Sequence, residues 1–291
     1  MNPWSGIWTA IVTPFDESGE IDWPALEKII QHQVISGVTG VVVSGTTGEA
    51  PTLSDAEKVA LFKFARARIP KSVKLMAGTG TSDTRQTVTL SRAAQEVGAD
   101  SLLIVTPPYN KPSLEGLKQH LREVSAACRV PICLYHVPGR TGQRLPPEDI
   151  AQATECPNVA AVKEASADLM LFSKAKQLSK AAFLSGDDFT FLPSMAVGGC
   201  GVISVVTNVF PVEFVTMYNA VQSGNSAMAL KIHNALYSFI EALFVETNPC
   251  PVKAVMAVMG MCREKFRLPL APVTEASRRV ILDEYQKAAD A

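Results

Sequence analysis

Apolar positions along the chain fall into two patterns that take turns. Short runs of β-branched and aliphatic residues lie near Gly6–Val12, Gly40–Ser44, Val73–Ala77, Ser101–Val105, Ile132–Tyr135, Val159–Lys163, Phe183–Ser185 and Gly201–Val205. Each is followed by a longer segment whose apolar residues recur at three- and four-residue intervals. This alternation predicts parallel strands joined by crossover helices. Two helix starts carry their own signals. Ser54 with Glu57 three residues on predicts a capping box, and Asp22 ahead of Trp23-Pro24 predicts a second N-cap.

Eight such repeats favour a closed (β/α)8 TIM barrel over an open doubly wound sheet, which has fewer strands and a glycine-rich turn after the first. No GxGxxG follows the first run here. From about Val209 the strand signals stop and helical spacing continues, interrupted at Asn248-Pro249 and Leu268-Pro269. The predicted organisation is a barrel over residues 1–224 and a C-terminal helical appendage over 225–291.

Composition narrows the partners. The 291 residues suit one barrel of about 250 residues with an appendage. Apolar residues make up 47% and charged ones 19%, enough for a large core and unlike a disordered chain. The 27 basic and 28 acidic residues leave a net charge of -1, with no basic run to track a phosphate backbone, which argues against nucleic acid. Cys128, Cys133, Cys156, Cys200, Cys250 and Cys262 form no CxxC pair and read as buried thiols in a reducing cytoplasm. Neither a basic n-region nor a run of about 20 apolar residues is found, so a cytoplasmic chain without membrane contact is expected.

In a TIM barrel the chemistry sits at the C-terminal ends of the strands. After the second predicted strand comes Gly45-Thr46-Thr47-Gly48-Glu49, after the fourth Thr106-Pro107-Pro108-Tyr109-Asn110, and after the fifth Tyr135-His136-Val137-Pro138-Gly139-Arg140. Lys163 closes the apolar run Val159–Val162, where a charged side chain would enter the barrel mouth. Desolvation there disfavours the ammonium, and a neutral amine is what attack on a ketone requires. The competing reading is a structural lysine paired with a carboxylate such as Glu164. The Gly45–Gly48 turn offers two hydroxyls and closely spaced N–H groups that suit a carboxylate, or it is a plain strand-to-helix turn. Tyr109, Tyr135 and Thr46 are packing residues or a proton relay to a Schiff base. Arg140 holds a substrate carboxylate bidentately or sits in solvent.

The segments GTTGE at 45–49, TPPYNKP at 106–112, YHVPGRTG at 135–142, VKEAS at 162–166, SGDD at 185–188, GVISV at 201–205 and ETNPCPVK at 246–253 occur in one order over essentially the whole chain. In these segments the chain resembles the dihydrodipicolinate synthase (4-hydroxy-tetrahydrodipicolinate synthase) family of the N-acetylneuraminate lyase superfamily. The resemblance implies condensation of pyruvate with L-aspartate 4-semialdehyde on the route to diaminopimelate and lysine. It implies Lys163 as the Schiff-base nucleophile and Thr46, Tyr135 and Tyr109 as the proton relay. Thr46 and Thr47 would hold the pyruvate carboxylate, Arg140 the semialdehyde carboxylate, and Gly186 and the Ile203 carbonyl would line the pocket. Tyr109 would cross to a neighbouring subunit, implying a homodimer and, in the usual assembly, a homotetramer. No metal or organic cofactor is implied, since the lysine amine is the electron sink.

Two departures stand out. His136 occupies a position where the pattern usually has Asn, as a satisfied structural group or a titrating one. The positions matching the lysine-inhibition site are Ala50, Asp55, Lys58, Ser82, Gln86 and Pro108, a set that predicts weak or absent inhibition by lysine. The alternative activities are another pyruvate-dependent aldolase or dehydratase, such as N-acetylneuraminate lyase or a 2-keto-3-deoxy sugar acid aldolase. A barrel that has become a non-catalytic scaffold is the alternative of a different class.

Overall fold

The computed structural model describes residues 2–291. Eight parallel strands close on themselves in chain order: β1 Gly6–Ala10, β2 Gly40–Val43, β3 Lys74–Gly78, β4 Ser101–Val105, β5 Ile132–His136, β6 Val159–Glu164, β7 Ala182–Ser185 and β8 Gly201–Ser204. The helices of the outer ring are α1 Trp23–Ile35, α2 Asp55–Arg68, α3 Thr84–Val97, α4 Leu114–Ala127, a short α5 Pro138–Thr141 with α6 Pro147–Ala153, α7 Leu169–Leu178, α8 Phe191–Ala196 and α9 Pro211–Gln222. Beyond them lie α10 Ser226–Ala242, α11 Cys250–Val258 and α12 Glu275–Ala289. The predicted TIM barrel with its C-terminal helices is the observed fold, and the predicted strands lie within two residues of the observed ends. Both helix-start signals act as expected: the Ser54–Glu57 capping box is complete, and Asp22 accepts the Ala25 N–H at 3.1 Å.

Period-two alternation along the strands divides the core in two. Trp8, Val42, Met76, Leu103, Cys133, Ala161, Leu184 and Ile203 point inward and fill the barrel. Their strand neighbours, such as Ile7, Val41, Leu75, Ile104, Leu134, Val162, Phe183 and Val202, point outward and pack under the helices. The register between β5 and β6 slips at Ile132/Cys133, so that Val159 and Ala161 oppose consecutive β5 residues and Ala160 is the extra one. From Ala161 onward the count of two places Lys163 inside and Glu164 outside.

Hydrogen bonds from buried polar groups lock the seam between β8 and β1. Asn208 donates from Nδ2 to the Ala10 carbonyl at 2.8 Å, and Gln33 bridges Thr9 to the Thr207 carbonyl. All six cysteines are free; four are buried as expected, while Cys200 and Cys262 are half-buried.

The appendage is fastened to the barrel mouth by a buried ion pair. Lys253 of α11, wholly inaccessible, bonds Glu49 at the end of the β2–α2 turn and donates to the Lys265 carbonyl at 2.9 Å. Its ammonium lies 4.5 Å from the centre of the Phe15 ring. Glu49 itself adopts a left-handed φ of 54° and accepts the Arg267 N–H with its other oxygen. Burial pushes Lys253 down from its ordinary range, and Glu49 opposes that. Removing one member of such a pair strands the other charge in an apolar site. Lys253→Ala should therefore cost about 3–5 kcal/mol of stability, read as a lower denaturant midpoint and a lower melting temperature than wild type.

Candidate active site

Lys163 is 5% exposed and sits at the inner, C-terminal end of β6. Its ammonium lies 4.3 Å from the centre of the Tyr135 ring, which β5 presents at the paired register position. Among the described residues no carboxylate lies within ion-pair distance of it. The pairing with Glu164 does not occur, because strand alternation sends Glu164 to the opposite face.

There Glu164 meets His136. The fully buried imidazole bonds Glu164 Oε1 through Nδ1 at 3.0 Å, and its Nε2 accepts the Leu145 N–H at 3.1 Å. Because Nε2 is an acceptor, the proton of the neutral ring is on Nδ1 and is donated to Glu164. Glu164 Oε1 also accepts the Ser166 N–H. His136 is thus a satisfied group on the outside of the strands that carry Tyr135 and Lys163 on the inside, not one that reaches the mouth.

The Gly45–Glu49 turn follows β2. Thr47 is buried and accepts the Asn248 side-chain N–H on its hydroxyl oxygen at 3.0 Å. With that lone pair occupied, the hydroxyl proton of Thr47 is free to donate. Asn248 turns its main-chain carbonyl to Arg140, whose guanidinium donates at 3.0 Å. One residue between α10 and α11 therefore holds both the hydroxyl turn and the rim arginine. The ETNPCPVK segment carried this signal as a motif, but sequence reasoning assigned no role to Asn248 or Lys253.

A cavity of about 510 Å³ opens at this end of the barrel and is lined by Thr46, Tyr135 and Arg140 among others. Gly186 lies against the Lys163 stem; a Cβ there would come within 2.9 Å of Lys163 Cε. Ile203 belongs to the inner packed layer. Tyr109 is not brought to the others within this chain. It stands 92% exposed on the β4–α4 loop, with a left-handed φ of 69°.

Asp188, from the SGDD segment, is the group that sequence reasoning left without a role. Its Oδ2 accepts the Val205 and Val206 N–H groups at 3.0 and 3.4 Å, tying the end of β7 to the end of β8. Oδ1 is buried without a partner. Burial pushes this carboxyl up to about 6, against hydrogen bonds that favour the anion.

What this arrangement can do chemically is form an imine: an amine without a counter-ion, a tyrosine against it, and hydroxyls free to donate toward a carboxylate. A profile of the dihydrodipicolinate synthetase family matches residues 3–288. The 4-hydroxy-tetrahydrodipicolinate synthase of Syntrophus aciditrophicus is 42% identical over 94% of this chain and 94% of its own. The crystal structure of dihydrodipicolinate synthase from Aquifex aeolicus superposes with a TM-score of 0.95 at 38% identity, covering 98% of both chains. A structure described as the first monomeric dihydrodipicolinate synthase variant gives 0.95 at 37% identity, over 99% of this chain and 97% of the other. Among the described residues no helix is long and apolar enough to cross a membrane.

Asp188 makes one pH dependence testable. The folded chain keeps this proton up to about 6, whereas an ordinary aspartate releases it near 3.8. The folded state binds more protons in that window, so stability falls as pH rises through it. Asp188→Asn, whose amide oxygen still accepts from Val205 and Val206, should flatten the decline in melting temperature between pH 4 and about 6. An unchanged slope would remove Asp188 as its cause.

Proposed function

The chain belongs to the dihydrodipicolinate synthetase family, and from that premise we propose that it condenses pyruvate with L-aspartate 4-semialdehyde to give 4-hydroxy-tetrahydrodipicolinate. It is a lyase of the dihydrodipicolinate synthase type, and three relatives at 41–42% identity carry that synthase name. The observation that carries the residue assignment is the inward-facing Lys163, buried beside Tyr135 without a counter-ion.

In this reading the Lys163 amine attacks the pyruvate ketone and water leaves, forming an imine. Loss of a methyl proton gives the enamine, whose carbon attacks the aldehyde of the second substrate. The amino group of that substrate then closes on the imine carbon and displaces Lys163. Thr46 and Thr47 hold the pyruvate carboxylate, the free proton of Thr47 being aimed by Asn248. Tyr135 and Thr46 move protons at the imine nitrogen and the new hydroxyl. Arg140 at the rim receives the carboxylate of the semialdehyde, and its bond to the Asn248 carbonyl leaves other N–H groups for that task. Gly186 leaves room for the lysine stem, and the Ile203 carbonyl lines the pocket. No metal is required for these steps.

The third relay member is Tyr109, contributed by a second subunit. Its exposure on a protruding loop and its absence from the Lys163 cluster support this assignment. The working form is a homodimer, assembling further into a homotetramer, and the compartment is the cytoplasm. Residues 1–224 carry the chemistry and 225–291 brace it. Inhibition by lysine is weak or absent.

Incubation with pyruvate and borohydride should add a covalent pyruvate-derived mass at Lys163; wild-type protein without the adduct would overturn the assignment, and Lys163→Ala should give none. Sharing of Tyr109 makes a second expectation. Lys163→Ala and Tyr109→Phe proteins, each nearly inactive, should regain about a quarter of wild-type activity when refolded together, because half the dimers are mixed and each holds one intact site. No recovery on mixing would place Tyr109 outside the shared site.

A further inference from the structure

His136 and Glu164 pair across β5 and β6 one register step beyond Tyr135 and Lys163, on the face turned away from the barrel interior. Neither is accessible: the imidazole is 0% exposed and the carboxylate 3%. The ring is bonded at both poles. Nδ1 donates to Glu164 Oε1 at 3.0 Å, and Nε2 accepts the N–H of Leu145, nine residues along the chain, at 3.1 Å.

The two bonds hold different things. Between His136 and Leu145 runs α5 with Arg140. The loop that presents the rim guanidinium is therefore closed at one end by the chain and at the other by Nε2. Within it the Arg140 N–H donates to the Val137 carbonyl at 3.0 Å, and the Gln143 side chain donates to the Pro112 carbonyl at 2.7 Å. The Nδ1 bond stays with the strands. Glu164 Oε1 also accepts the Ser166 N–H at 2.9 Å, and the Ala165 N–H donates to the His136 carbonyl at 2.9 Å. The Glu164 carbonyl accepts the N–H of Gly186, the residue packed against the Lys163 stem, at 2.6 Å. A buried group that loses a partner bears its full desolvation cost, so each pole resists displacement of what it holds.

We propose that His136 is a positioning residue for two steps of the reaction through opposite ends of its ring. Nδ1, with Glu164, fixes the Tyr135–Lys163 register for imine formation. Nε2, through Leu145, fixes Arg140 for the carboxylate of the second substrate. The inference rests on the assignment of Lys163 to the imine and Arg140 to that carboxylate. Neither His136 nor Glu164 touches a reacting atom; both act through their neighbours.

Asn and Gln divide the ring between them. The Asn amide ends where Nδ1 does and the Gln amide where Nε2 does, and each carries both a donor and an acceptor. His136→Asn keeps a donor to Glu164 and loses the acceptor for Leu145, whereas His136→Gln does the reverse. His136→Asn should raise KM for aspartate semialdehyde about fivefold while the rate of borohydride trapping with pyruvate stays within about twofold of wild type. His136→Gln should slow trapping about fivefold and leave that KM within about twofold. Melting temperatures read stability separately. A purely structural histidine would lower them in both variants without the crossed kinetic pattern, and that result overturns the proposal. Should His136→Gln not fold, an unchanged KM in His136→Asn is enough to overturn it. Wild-type protein that traps pyruvate but does not turn over the semialdehyde refutes the second substrate instead, and with it the Nε2 half; the trapping rates still decide the Nδ1 half. Wild-type protein that does not trap pyruvate removes both.

Discussion

A closed barrel of parallel strands has no edge and only two faces, and each residue added to a strand changes which face the next one meets. Everything that distinguishes this site depends on that count being right at β5 and β6. One slip in register, at Ile132/Cys133, sets the phase from Ala161 onward. Lys163 then falls among the inward residues beside Tyr135, and Glu164 falls outside against His136. The same alternation answers two questions at once. It separates Lys163 from the carboxylate that could have neutralised it, and it gives that carboxylate a different partner.

The outer pair has its own logic. His136 and Glu164 occupy paired positions directly after Tyr135 and Lys163. Their hydrogen bond, with the further acceptances from Leu145 and Ser166, ties two strands and two following loops together beneath the helices. The register that pairs Tyr135 with Lys163 is held partly by this network, since buried hydrogen bonds tolerate little displacement of the backbone before they are lost. The mouth is braced from the other side by the appendage, through Asn248 to the threonine turn and through Lys253 to Glu49.

Much of this was legible in the sequence where the signal is local. The strands announced themselves as short apolar runs, the caps as Ser54–Glu57 and Asp22, and the mouth residues as the polar groups that follow each run. The position of Lys163 on the inner face followed from its place in the run, and alternation alone sends Glu164 the other way. The bulge at Ala160, which sets the phase of both against β5, leaves no compositional mark in an Ala-Ala-Val stretch. The braces were hidden for a different reason. Thr47 and Asn248 are 201 residues apart and Glu49 and Lys253 are 204 apart, so no window of the chain contains both members of either pair. The partner of His136, 28 residues away on the next strand, was hidden until the register was known. Tyr109 is the converse case: its place in a motif marked it, and the single chain leaves it in solvent.

The distance in sequence between the two ends of the Lys253–Glu49 pair has a consequence for synthesis. The barrel strands leave the ribosome in order, and the turn bearing Glu49 is made early, while the lysine that neutralises it comes after β8. During that interval the nascent chain carries a carboxylate destined for an apolar site and a threonine turn without its amide prop. A barrel closed before α11 emerges is therefore still an open vessel at its mouth. Translation that stops short of the last helices leaves every side chain proposed for catalysis encoded and the turn beside them unbraced.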